Sequence, residues 1–139
     1  MIKSGFILWI ILLIGNSCLA DTIDYWHVYY NKLKVREFNQ SNSNKTIKLK
    51  IASIKSSDSL VVKYFKDTPC FDCLTTVLVE DDKGHLVTVG HNFGTSTGVT
   101  IRLKNITMQD LSSTKLFRIY YYENADPQKR TFLFQIKLE

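Results

Sequence analysis

The sequence predicts an all-β fold: an antiparallel β-sandwich, immunoglobulin-like or related, of about eight or nine short strands. Three observations predict it. From Trp26 onward the apolar residues recur with a period of two, which places alternate side chains on one face of a strand. No long segment keeps a 3.6-residue period, and polar turn clusters interrupt the chain at short intervals.

Taken in order, the opening segment "MIKSGFILWIILLIGNSCLA" has a cation at Lys3, an apolar run and small residues at Cys18 and Ala20. That layout is expected for a signal peptide over residues 1–20, cut after Ala20. The run falls short of the roughly 18 to 20 residues that cross a bilayer, so no transmembrane helix is expected in the mature chain. An alternative makes Cys18 the acylated first residue of a lipoprotein, although "GNS" before it lacks the usual Leu. Both readings place the protein outside the cytosol, periplasmic or extracellular. Residues 21–139 then form a single domain, long enough to bury a core without several disulfides.

"WHVYY" and "LKVREF" are strands joined by a tight turn at Asn31 and Lys32, and "FNQSNSNKT" is a polar loop. "TIKLKIASI" alternates, with Ile47, Leu49 and Ile51 on one face and Lys48 and Lys50 on the other. "SLVVKYF" and "LTTVLVE" follow, then "EDDKGHLV" as a hairpin whose Gly84 takes a left-handed conformation. After "HLVTVG", the segment "GHNFGTSTG" reads as a flexible connection. "GVTIRLKN" is a strand, and "ITMQDLSSTK" has room for one helical turn. "KLFRIYYY", the polar "ENADPQKR" and "TFLFQIKLE" complete the chain. Asn39, Asn44 and Asn105 each begin an N-x-Ser/Thr sequon, a glycan acceptor only in a eukaryotic secretory pathway.

Charge narrows the partners. Removing the leader takes one lysine and no acid from a net charge of +5, leaving +4, and the cations lie in separate segments. A nucleic-acid footprint needs them clustered on one surface, so no nucleic-acid partner is expected.

The segment "KDTPCFDCLTT" carries Cys70 and Cys73, the only thiols of the mature chain. An oxidising compartment joins such a pair as a local disulfide. A thiol carrier is the alternative. C-x-x-C pairs lower a thiolate pKa at a helix N-terminus, but a strand follows here, and Asp67 and Asp72 oppose the anion. A zinc reading adds His85 and His91. An extended stretch between them puts the imidazoles roughly 20 Å apart, too far to share an ion. Haem attachment needs His after the second Cys, where this chain has Leu74. Glu80, Asp81 and Asp82 are a charged hairpin tip, without the ligand spacing of a calcium loop. There is no G-x-S-x-G and no H-E-x-x-H, so no catalytic residue, resident metal or cofactor is assigned.

Aromatic residues suggest binding instead. In "DYWHVYY" and "RIYYY" consecutive rings must alternate faces, so some point outward. Trp26, Tyr29 and Tyr121 are the candidate contacts for a protein or glycan partner. The competing reading is that these rings cover the sandwich and pair across strands. The segments "YWHVYYN", "DTPCFDC" and "YYYEN" resemble a group of small secreted bacterial proteins of unknown function. The resemblance implies an exported bacterial protein and no particular activity.

Overall fold

Period-two patterning produces nine strands in the computed structural model, which describes residues 23–107, 116–126 and 128–139. They are β1 (Tyr25–Tyr30), β2 (Leu33–Asn39), β3 (Thr46–Leu49), β4 (Ser59–Phe65), β5 (Leu74–Glu80), β6 (Leu86–Phe93), β7 (Val99–Arg102), β8 (Leu116–Glu123) and β9 (Thr131–Leu138). A short helix, α1 (Leu103–Thr107), follows β7. The segment expected to be a signal peptide, with Cys18, and most of "ITMQDLSSTK" lie outside the described residues. Among the described residues no helix is long and apolar enough to cross a membrane.

Two sheets pack face to face. One has the order β2-β1-β4-β7 and the other β3-β9-β8-β5-β6. Each central strand sends alternate residues into the core: Trp26 and Val28 from β1, Leu60, Val62 and Tyr64 from β4, and Phe117, Ile119 and Tyr121 from β8. A line of rings crosses the interior. Phe134 stacks on Phe38, Phe38 on Trp26, Trp26 on Tyr64 and Tyr64 on Tyr121, so the line starts and ends in the larger sheet. Such pairs add about 0.5–1.5 kcal/mol each beyond their burial.

The two expected turns form as their residues demand. Asn31 and Lys32 both take positive φ, 46° and 75°, and Gly84 takes 80°. Positive φ at both central positions of a two-residue hairpin matches the twist of the flanking strands.

Four expectations are corrected. The sandwich is not wholly antiparallel, because β3 runs parallel to β9, pairing Thr46 with Gln135 and Leu49 with Leu138. β3 also stops at Leu49, and Ile51 is exposed rather than sharing a face with Ile47. The backbone and hydroxyl of Ser53 both donate to the Lys50 carbonyl, which closes a 3-10 turn at Ile51–Ser53 and ends the alternation. β7 likewise stops at Arg102, since Leu103 N–H donates to the Asp58 carbonyl and α1 begins there, burying Leu103 and Ile106. Finally, "GHNF" is the second half of β6 and not a flexible connection.

Candidate functional site at the disulfide end

Between β4 and β5 the chain makes a bend closed by the Cys70–Cys73 disulfide, whose Cα atoms are 5.8 Å apart. A ring of this size holds only its own turn, so the bend needs outside support. Gly94 and Thr95 supply it from beyond the end of β6. Cys70 N–H donates to Thr95 Oγ1 (2.7 Å), Thr95 N–H returns a bond to the Cys70 carbonyl (2.8 Å), and Gly94 N–H donates to the Cys73 carbonyl (3.0 Å). The Thr95 hydroxyl donates to the same Cys70 carbonyl (3.0 Å). Gly94 has φ +83°, and an added Cβ would lie 3.3 Å from the Phe71 carbonyl, so glycine is what lets the two loops lie this close. The consequence is a fixed bend. At its tip Phe71 is 76% exposed.

The loop borders an aromatic face. Because Trp26 and Val28 point inward, Tyr25, His27 and Tyr29 point out, and β4 places Val61, Lys63 and Phe65 beside them. Tyr25 stacks on Phe65 at 4.8 Å, His27 lies 4.9 Å from Phe65, and Lys63 Nζ sits 5.5 Å over the Tyr29 ring. Glu37 of β2 pairs with His27 (3.0 Å) and Lys34 (2.6 Å), and Lys34 in particular holds its carboxyl below the usual range. Between this face and Phe71 lies a cavity of about 360 Å³, bordered by Ile23, Tyr25, Phe65, Pro69 and Phe71.

Behind the cavity the groups are neutralised rather than poised for reaction. Tyr64 OH donates to Asp24 (2.6 Å), and burial, aided by that carboxylate, pushes its phenol up. Burial likewise raises the Tyr121 phenol, helped by Glu123, whose carboxylate pairs with Lys66 at 3.1 Å. Neither phenol is a ready nucleophile.

The structure separates the sequence candidates. Trp26 is fully buried and Tyr121 is 3% exposed, so neither offers a binding surface. Both share the inward phase, Trp26 with Val28 and Tyr121 with Ile119. Tyr29 is on the outer face as a binding residue must be, half-buried under Lys63. Phe71, Tyr25 and Phe65 complete that surface and were not singled out. The phase of the alternation, fixed by the most apolar positions, is the signal that distinguishes them from Trp26.

His85 and His91 do not approach one site with the cysteines. His85 Nδ1 meets the buried Asp81 carboxylate at 2.9 Å in the β5–β6 hairpin, while His91 pairs in register with Thr76. Burial pushes the Asp81 carboxyl up, but hydrogen bonds from the His85 backbone and ring and from Lys83 N–H outweigh it and hold the group below its usual range. Among the described residues no group of three or more His, Cys, Asp or Glu is placed to hold a metal.

Comparison with known proteins yields no matching family model, no matching curated protein and no matching solved structure. The candidate site therefore rests on its geometry.

Proposed function

We propose that the chain is an exported binding module that contacts a protein partner through Phe71 and the outer-face rings Tyr25, Phe65 and Tyr29. The observation that carries this reading is Phe71. A large apolar ring is held in solvent at the tip of a disulfide-closed bend, which loses little conformational freedom when it is covered. Aromatic residues, phenylalanine among them, are enriched at protein interfaces. The cavity beside it, about 360 Å³, is large enough to receive a side chain in return. Export is supported by the leader-like N-terminal segment and by a disulfide of the sort that persists outside the cytosol.

The direct test is capture of partners by the purified mature chain, with Phe71→Ala, Tyr25→Ala and Tyr29→Ala in parallel and a glycan array alongside. Phe71→Ala should weaken partner binding by about tenfold or more. Retention of full affinity in all three variants would sink the proposal, and loss of glycan binding in the same variants would replace the protein partner with a sugar.

One observation favours a second reading, a thiol-disulfide carrier. Cys73 N–H lies 3.1 Å from Cys70 Sγ and would stabilise a thiolate there after reduction. In that role the pair would take two electrons and two protons from a partner dithiol, which closes to a disulfide. A reduction potential below about −300 mV would identify an inert bond, whereas a value near −200 mV would support the carrier.

A further inference from the structure

The two long edges of the sandwich are built differently. At the β6–β7 edge Gly90 brings the strands together so closely that a Cβ there would lie 2.5 Å from the Thr100 carbonyl. The groove over that edge reaches no fully buried core residue and, apart from Val89, is lined by polar residues and glycines. At the opposite edge β2 and β3 stand apart and leave an opening of about 570 Å³. Its floor reaches the core, since Leu60 is fully buried and Ile47 nearly so. The volume lies within the roughly 300–1,000 Å³ of small-molecule sites.

The rim is cationic. Arg36 sits opposite Val28 in register, which puts it on the core-facing side of β2, and it lines the opening with Lys48 and Lys50. Among the described residues neither Arg36 nor Lys50 pairs with a carboxylate, and Lys48 has only the exposed Glu139 at 3.8 Å. The hydroxyls that line the opening are already engaged as donors: Tyr30 to Asp58, Thr46 to Gln135 and Ser53 to the Lys50 carbonyl. The side-chain donors left for a ligand are therefore the cations.

We propose that this opening binds a single-chain amphiphile with an anionic head, its apolar chain over Leu60, Ile47 and Leu49 and its head against Arg36, Lys48 and Lys50. Charge complementarity selects the anion, and an apolar floor beneath a cationic rim selects a head joined to a tail. The site is distinct from the aromatic surface, because Tyr29 of that surface and Tyr30 of the opening are consecutive residues of β1 and face opposite sides of the sheet.

Titration calorimetry of the mature chain with dodecanoate and dodecyltrimethylammonium below micelle formation, and with dodecanol below its solubility limit, tests the assignment. Dodecanoate should bind at least about tenfold more tightly than the other two. Shortening the chain should cost about fourfold per methylene withdrawn from the cavity. The double variant Arg36→Glu, Lys50→Glu changes two exposed side chains, so its thermal midpoint should stay close to that of the parent. It should lose dodecanoate by about tenfold or more and leave dodecanol unchanged. Equal affinity for dodecanoate and dodecanol would overturn the proposal. So would wild-type dodecanoate binding in the double variant, the result expected if Arg36 only guards an edge strand against self-association. Binding to anionic vesicles without binding of monomeric dodecanoate would overturn it as well.

Discussion

Asp58 does more for the fold than its place in "SSDSL" suggests. Its carboxylate accepts from Tyr30 OH (2.5 Å), Asn31 Nδ2 (2.9 Å) and Lys55 N–H (2.9 Å), and its carbonyl accepts from Leu103 N–H. One side chain thus ties the first hairpin to the start of β4, and its own backbone carbonyl adds α1. The Lys55 N–H, followed by Tyr30 and Asn31, holds the carboxyl below its ordinary value of 3.8. A depressed folded-state pKa contributes stability that is present above the ordinary value and lost as pH falls through the folded one. Urea unfolding should therefore show stability declining as pH drops below about 3.8, and Asp58→Asn should flatten that part of the profile. The same hydrogen bond, with burial, raises the Tyr30 phenol to about 12. That contribution is intact below 10.0 and should fade as pH rises toward 12, an alkaline limb that Tyr30→Phe removes. No local pattern marks Asp58 in the sequence, since Tyr30 and Asn31 are 28 and 27 residues away. Gly94 is a comparable case, and Gly94→Ala should cost about 1–3 kcal/mol by denaturant titration because alanine must adopt its positive φ.

At the level of elements, alternation together with β-branched and aromatic content identified the strands, β5 by content alone since its interior is buried on both faces, and the two positive-φ turns followed from Asn31, Lys32 and Gly84. It failed where side chains compete with the ladder. Ser53 ends the β3 segment, and the Asp58 carbonyl diverts β7 into α1, yet Leu103 stays buried, so the apolar pattern continues across a change of backbone. The aromatic candidates failed for another reason: composition shows that rings are present, and only their phase shows which are covered. The disulfide loop is a small element with a small energy. Replacing both cysteines by serine should cost about 2 kcal/mol for so short a ring. Affinity for a partner should suffer more, because Phe71 would lose its fixed position, and paired unfolding and binding measurements on the double variant separate the two effects. Gly90 sets the opposite edge. Gly90→Ala must push against the Thr100 backbone at 2.5 Å, whereas Gly98→Ala meets the Val61 side chain at 2.6 Å. The first should lose about 1–3 kcal/mol and the second less, since a side chain yields more readily than a strand.

For the whole molecule, layer architecture was legible because it depends on periodicity, whereas strand partnership was not. The pairing of Thr46 with Gln135 joins positions 89 apart, and no local residue pattern encodes a parallel neighbour so distant. Such non-local pairing closes a large loop before any contact rewards it, so refolding with the disulfide intact should take milliseconds to seconds in stopped-flow fluorescence. Removing residues 131–139 should abolish the cooperative transition, since β9 supplies Leu133, Phe134, Ile136 and Leu138 to the core and lies between β3 and β8. Of the nine strands β9 is also the last that a ribosome makes. β3 must then wait, edge exposed, while most of the domain is synthesised. The larger sheet closes only once the residues up to Leu138 have emerged from the ribosome, so none of its β3 contacts can form as the first hairpin appears.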